Sequence, residues 1–178
     1  MENVSYHKGC PVPLNDLRIV NIKYLGFDEA ISYGNLIVHK DVAFEVSEIF
    51  EELFKINYPI QQITPIEKYK GDDFESIEAN NTSAFNCRKA EASKKYSKHS
   101  FGKAIDINPI QNPYIYPNGT SSHKASKEFI KRVSINDTVQ SRALLLPNSE
   151  AVMIFKKYGW KWGGDWKNIK DYQHFQKQ

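Results

Sequence analysis

The chain lacks several features that would assign a protein to a class at once. It has no apolar run long enough to cross a membrane, and its only cysteines, Cys10 and Cys87, form no CxxC pair. Its 24 Lys and Arg residues are dispersed and are nearly balanced by 21 Asp and Glu, so it has no basic stripe for nucleic acid. These absences argue against a membrane-spanning protein, a cysteine-ligated zinc module and a nucleic-acid-binding protein.

The remaining composition is that of one folded domain. A length of 178 residues is enough for a substantial core, and 40% of the residues are hydrophobic and 13% aromatic. The two cysteines leave two alternatives open. They form one disulfide if the protein is exported, which we favour, or they stay free thiols if it is cytoplasmic.

The periodicity of apolar residues predicts an α+β fold. Two β-type runs, Ile19–Leu25 and Leu36–His39, are separated by glycines and predict a hairpin. Apolar residues recur at three- and four-residue steps over Asp41–Asn57, which predicts an amphipathic helix that its first aspartate caps. The segment Ser149–Tyr158 predicts a second helix, capped by its serine and ended by the glycine that follows.

The segments between these helices are less regular. We expect an interrupted strand over Ile60–Ile66, a flexible polar loop over residues 67–81 and a strand over Thr82–Arg88. A basic loop, Lys89–Lys98, follows, and His123 lies in a later polar loop, where we expect it to be exposed. Loops of this kind often border functional sites.

The most informative stretch is Ser97–Asp106, which holds His99 and Asp106 seven positions apart. That spacing would also put both residues on one face of a helix. A glycine in the middle and the isoleucines on either side of the aspartate argue instead for a turn followed by a strand. From spacing alone, Asp106 is either a functional carboxylate or a buried one bonded to backbone amides.

A second stretch near the C-terminus carries the residues that would complete a zinc site. A catalytic zinc takes three protein ligands, often imidazole or carboxylate, and leaves the fourth position for water. We interpret His99, Asp106 and His174 as these ligands. Asp171 is then the base that takes a proton from the water, and we prefer it to Asp165 because it is three residues from His174. For both to reach one site, Asp171 must lie at a bend before the strand that carries His174.

These two stretches resemble the signatures of the zinc D-Ala-D-Ala peptidases. Ser97, His99, Gly102, Ala104 and Asp106 fill the pattern Ser-x-His-x-x-Gly-x-Ala-x-Asp. The segment Asp171–His174 fills the second motif, an acidic residue three positions before the third zinc histidine. The Trp-Gly-Gly-Asp-Trp run before it is similar to the carboxypeptidase and endopeptidase branch, and the similarity extends from about Gly34 to Phe175.

The resemblance implies a fold and a metal site. The fold is a small antiparallel sheet that carries the zinc ligands, flanked by helices, as in the peptidases and the related hedgehog proteins. Residues 1–33 form an arm and first strands packed on a catalytic domain of residues 34–178. One Zn²⁺ is held by His99, Asp106 and His174.

The resemblance also implies roles for residues around the metal. Asp171 acts as the catalytic base, and Arg88 binds substrate and stabilises the oxyanion, a role that suits a fixed guanidinium. Ser97 hydrogen-bonds the substrate backbone. The VanX-type dipeptidases use glutamate as the base, so an aspartate at position 171 favours the carboxypeptidase or endopeptidase branch.

The implied substrate is a peptidoglycan stem peptide. We expect a D-alanyl-D-alanine carboxypeptidase, and the alternatives are an L-alanyl-D-glutamate endopeptidase and a non-catalytic zinc module that binds cell wall. We expect a monomer with no nucleic-acid partner and no transmembrane segment. Its place is the periplasm or the cell wall after export, with the signal peptide removed, or it is a phage lysis enzyme released from the cytoplasm.

Overall fold

A β-hairpin begins the fold in the computed structural model, which describes residues 1–90, 93–133 and 137–178. Strand β1 (Leu17–Leu25) pairs antiparallel with β2 (Ile31–His39), so that Leu17 lies opposite His39. The predicted hairpin is confirmed, but β2 starts five residues before the predicted Leu36. Its first half lacks buried apolar residues, so its sequence gives no alternation to detect.

Helix α1 (Lys40–Lys55) packs across the hairpin, as its apolar periodicity predicts. Its buried face consists of Val42, Val46, Ile49, Phe50 and Leu53. The predicted cap is wrong by two residues, because His39 caps the helix and its Nδ1 accepts the backbone N–H of Asp41 at 3.2 Å. Asp41 lies in the first turn, where its charge suits the helix dipole.

A three-stranded antiparallel sheet forms the centre of the C-terminal half. Strand β9 (His174–Gln176) lies between β5 (Ala104–Asp106) and β7 (Lys161–Trp162). Helix α4 (Glu150–Lys157) packs on this sheet, with the ring of Phe155 stacked 3.9 Å from that of Phe175. The predicted α+β class and this predicted helix are confirmed, whereas likeness to hedgehog proteins stays a prediction.

The predicted loop over residues 67–81 is wrong. It contains a 3₁₀ turn, Ile66–Tyr69, and helix α2 (Asp73–Glu78), whose start is capped by Asp72 through the backbone N–H of Glu75. These elements connect the short parallel strands β3 (Gln62–Ile63) and β4 (Asn81–Thr82). The predicted strands Ile60–Ile66 and Thr82–Arg88 are mostly wrong, because only Gln62, Ile63 and Thr82 of these residues lie in strands.

The remaining elements close the region near the C-terminus. Strand β6 (Tyr114–Ile115) pairs with β8 (Lys170–Asp171), and a 3₁₀ helix, Lys124–Phe129, and helix α3 (Val139–Arg142) lie between β6 and α4. Residues 91 and 92 of the predicted basic loop lie outside the described residues. No helix of the described chain is long and apolar enough to cross a membrane.

The N-terminal arm is fastened to the segment that leads into the first motif. A disulfide joins Cys10 to Cys87, which is the alternative favoured from the sequence. The backbone N–H of Cys87 also donates to the carbonyl of Ser5 at 2.9 Å. A small apolar cluster surrounds the bond; its buried members are Val12, Leu17, Ile37, Phe85 and Cys87. The boundary predicted after residue 33 stays a prediction.

We expect the double variant Cys10→Ser/Cys87→Ser to unfold at lower urea concentration than the wild type. The crosslink spans 77 residues, and removing such a constraint from the unfolded chain costs about 2–4 kcal/mol. The measurement is urea unfolding with and without reductant. Reduced wild type should match the double variant, and a wild type indifferent to reductant would contradict the prediction.

Candidate active site

The first motif folds as a tight turn that leads into a strand. Ser97 caps the 3₁₀ helix Lys98–Phe101, and its Oγ accepts the backbone N–H of His99 at 3.3 Å. Gly102 ends the turn at φ +63°, and a Cβ there would lie only 2.5 Å from the backbone nitrogen of His39. Only glycine fits this crossing, after which β5 carries Asp106 into the site.

The second motif is a sharp bend between two short strands. Asp171 ends β8, residues 172 and 173 form the turn, and His174 begins β9. The bend that the sequence requires before His174 is therefore present. Gly163 makes room for it, since a Cβ at that position would lie 2.4 Å from the carbonyl oxygen of Asp171.

The strand register brings the three predicted ligands together. Asp106 of β5 lies directly opposite His174 of β9, and its Oδ1 is 2.9 Å from Nδ1 of that histidine. Nε2 of His99 is 3.2 Å from both Oδ2 of Asp106 and Nδ1 of His174. A tetrahedral zinc with ligands at about 2.0–2.1 Å holds its ligand atoms roughly 3.3 Å apart. The donor set therefore fits one Zn²⁺.

The other nitrogen of each ring fixes its tautomer. Nδ1 of His99 lies 2.5 Å from the carbonyl oxygen of Ala84, and Nε2 of His174 lies 3.2 Å from Oε1 of Gln176. Both partners are acceptors, so each ring donates its N–H outward and presents a lone pair inward. Such outer partners are the usual means of orienting a metal-binding histidine.

Two lone pairs and a carboxylate thus face one another and require a positive charge between them. Without metal, a proton serves this purpose. Burial alone would lower the pKa of His174, but the hydrogen bond to Asp106 and its charge raise that pKa to about 9. Burial would raise the pKa of Asp106, but the neighbouring charge of His99 and the hydrogen bonds from both histidines hold it well below its usual range.

Asp171 borders this cluster but is in a different electrostatic environment. Its side chain is buried, and its Oδ1 has no hydrogen-bond partner among the described residues. Burial raises the pKa of Asp171 to about 7, and the charge of Asp106 adds to the shift while His174 and His99 oppose it. A carboxylate of this kind is suited to exchanging protons near neutral pH.

The other predicted residues also lie at the site. Ser97 and Arg88 line the same groove as the three potential ligands. Nε of Arg88 forms an ion pair with Asp73 of α2, and its Nη1 donates to the carbonyl of Lys89 at 3.2 Å. Asp165, the carboxylate that we did not favour, pairs with Lys156 at 2.7 Å and is outside the groove lining.

The groove has a volume of about 630 Å³. Its walls come from both halves of the described chain and include Phe74, Arg88, His99, Tyr114, Trp166 and Asp171. Sequence reasoning missed the contribution of α2, because the segment reads as a polar loop. The prediction that His123 is exposed is wrong, since it is 5% exposed and lines the groove. Its hydrogen bond to Glu78 is a long-range contact without a sequence signal.

A second group of potential ligands lies elsewhere. His7, Cys10 and Cys87 are close together, but the disulfide removes the thiolates that would bind a metal. Within the described ranges, His99, Asp106 and His174 form the other such group.

Comparison with known families matches the segment that carries this site. Two histidines and a carboxylate beside a second carboxylate are residues that metal-dependent hydrolases use at their catalytic centres. Residues 90–177 match the family model described as D-alanyl-D-alanine carboxypeptidase. Over this segment, about half of the chain, the resemblance to that family of peptidases is confirmed. Neither curated proteins nor solved structures gave a match. The matched segment contains both motifs and begins two residues after Arg88.

Removing one ring should remove the metal. We expect His99→Ala to retain less than a tenth of the zinc that wild type binds, because two ligands with an open pair of positions hold zinc weakly. The measurement is elemental analysis after dialysis against dilute zinc. The control is His39→Asn, which keeps an acceptor at the cap of α1. Equal zinc content in His99→Ala and wild type would show that His99 is not a ligand.

In metal-free protein, Asp171→Asn should stabilise the fold more at high pH than at low pH. The folded-state pKa of about 7 lies above the ordinary aspartate pKa of about 3.9. Below pH ~4 the Asp171 carboxyl group is protonated in both the folded and the unfolded protein. As the pH rises to about 7, the group ionises in the unfolded protein first, so its cost to folding stability grows, and above that pH the cost is constant. The stabilisation at pH 8 should be on the order of 4 kcal/mol.

The measurement is urea unfolding at pH 4, 6 and 8 in the presence of a chelator. Asp165→Asn is the matched control and should show no such trend, because its carboxylate is half exposed. A pH-independent effect of Asp171→Asn would contradict the assigned environment.

Proposed function

We propose that this peptidase is zinc-dependent and cleaves peptidoglycan stem peptides, removing the terminal residue from D-alanyl-D-alanine. The observation that carries the proposal is the convergence of three acceptor atoms, on His99, Asp106 and His174, beside a buried carboxylate in an open groove. The family match supports the reaction class and the D-alanyl-D-alanine substrate. Peptidoglycan lies outside the cell membrane, so the enzyme acts there after export or after lysis.

The proposed ligands are His99, Asp106 and His174, each through the atom that faces the other two. When bound, a zinc ion supplies Lewis-acid polarisation of the scissile carbonyl and a water of lowered pKa. The outward hydrogen bonds to Ala84 and Gln176 keep both rings in the orientation that this binding needs.

Asp171 is the proposed proton carrier. Its buried, unpartnered Oδ1 is the atom best placed to accept a proton from water, and the same group can return it to the leaving amine. A pKa near neutrality suits both steps, because the carboxylate can take up a proton from water and can release it again to the amine.

Arg88 and Ser97 are the proposed substrate-binding residues. Asp73 and the carbonyl of Lys89 each hold part of the guanidinium of Arg88, which leaves Nη2 without a described partner. A guanidinium fixed in this way can bind a substrate carboxylate or stabilise developing negative charge. Ser97 caps the turn that carries His99, so a peptide bonded to its hydroxyl would lie against the metal site.

An L-alanyl-D-glutamate endopeptidase remains the second candidate. Besides the proposed ligands, the groove is lined by residues of other segments, among them Phe74 of α2 and Tyr116, which gives a longer peptide a surface to bind. A carboxypeptidase needs little room beyond the terminal residue. Monomeric behaviour stays a prediction, and a bound metal without turnover would favour the non-catalytic wall-binding module.

Asp171→Asn should lower kcat by about 10²–10⁴ while zinc content and peptide binding persist, because the amide cannot accept the proton. The measurement is mass spectrometry of purified pentapeptide stems incubated with the zinc-loaded protein. Loss of one terminal alanine indicates the carboxypeptidase, and cleavage between L-Ala and D-Glu indicates the endopeptidase.

The matched control is Asp165→Asn, which removes a nearby carboxylate outside the groove lining and should keep wild-type turnover. Wild-type turnover by Asp171→Asn would exclude Asp171 as the base. Intact stems after incubation with zinc-loaded wild type would overturn the peptidase proposal for this substrate.

A further inference from the structure

His123 is a buried, polar side chain of the groove to which the proposed reaction gives no role. It directly precedes the 3₁₀ helix Lys124–Phe129 and is only 5% exposed, although most residues of that helix are exposed. It lines the same groove as the metal cluster but makes no hydrogen bond to that cluster among the described residues. It is therefore available for a separate function.

The ring of His123 is held from two directions by α2. Its Nδ1 lies 2.7 Å from Oε1 of Glu78, and the ring of Phe74 packs against it with a centroid separation of 4.4 Å and a tilt of 31°. Phe74 and Glu78 are four residues apart and thus share one face of the helix. The orientation of the imidazole is consequently fixed before any ligand arrives.

The two nitrogens of this ring have different partners. Glu78 is a carboxylate, so Nδ1 carries the hydrogen and donates to it. With Nδ1 as the donor, Nε2 presents its lone pair as an acceptor, and no described residue hydrogen-bonds that atom. His123 lines the groove, and its Nε2 is not among the fully buried atoms that lack a partner, so this atom is open to the groove. A histidine that is oriented through one nitrogen commonly uses the other for binding or catalysis.

We propose that His123 is a substrate-binding residue whose Nε2 accepts a hydrogen bond from a backbone N–H of the stem peptide, and that Glu78 is its positioning residue. This proposal rests on the proposed function. It places a peptide-binding group on the α2 wall, apart from the metal ligands, so its loss should weaken binding more than it slows the chemical step.

Two amide substitutions separate binding from packing. The side chain of Gln in His123→Gln can place a hydrogen-bonding group near the position of Nε2. The shorter side chain in His123→Asn can reach only the position of Nδ1 and keeps the contact with Glu78. A substrate-binding role predicts that KM rises about tenfold or more in His123→Asn and less than about threefold in His123→Gln, with smaller changes in kcat.

Glu78→Gln should raise KM by an intermediate factor, because it weakens the orientation of the ring and leaves Nε2 in place. Glu128→Gln is its matched control, since it removes an exposed carboxylate from the neighbouring 3₁₀ helix. Calorimetric titration of the stem peptide into zinc-loaded Asp171→Asn, with and without His123→Asn, measures binding without turnover. The added substitution should weaken binding by the factor found in KM.

The outcomes distinguish this inference from the proposed function. If wild type cleaves the stem peptide while His123→Asn and His123→Gln have wild-type KM, the role of His123 is overturned and the function stands. The same holds if KM rises equally in both variants and in proportion to a lower melting temperature, because that result indicates a packing role alone. If wild type neither binds nor cleaves the peptide, the proposed function is overturned and the role of His123 with it.

Discussion

Three hydrogen-bond acceptors that face one another are the constraint on which the rest of the site depends. Nε2 of His99, Nδ1 of His174 and the carboxylate of Asp106 lie within 3.2 Å of each other, and both rings donate their N–H groups outward. Such an arrangement is unfavourable unless a cation or a proton lies at its centre. In the metal-free protein the pKa of His174 is strongly raised, because a proton on its ring supplies the positive charge at this point.

The fold supplies this arrangement through short elements fixed at their ends. The pairing of β5 with β9 sets Asp106 against His174, and the left-handed glycine after the 3₁₀ turn aims His99 at the same point. The disulfide and the ion pair of Arg88 with Asp73 fasten the segment that precedes the turn. Because these contacts join distant parts of the chain, the site exists only in the complete fold.

The sequence predicts the parts of this structure that depend on local chemistry. Helix α1 follows from apolar periodicity, and the bend after Asp171 follows from the requirement that Asp171 and His174 reach one site. The convergence of the two motifs follows from the ligand types and the family resemblance. The segment of α2 was not predicted, because six polar-rich residues carry too little periodicity to indicate a helix. His123 was misjudged for a related reason: its burial depends on Phe74 and Glu78, which lie far from it in the chain.

The most direct test of the account is the crystal structure of the zinc-loaded protein, with anomalous scattering measured at the zinc edge. The account predicts one strong anomalous peak about 2.0–2.1 Å from Nε2 of His99, Nδ1 of His174 and one carboxylate oxygen of Asp106. Asp171 should lie outside the ligand distance. A zinc ion bound elsewhere, or one that takes Asp171 as a ligand in place of Asp106, would contradict the account.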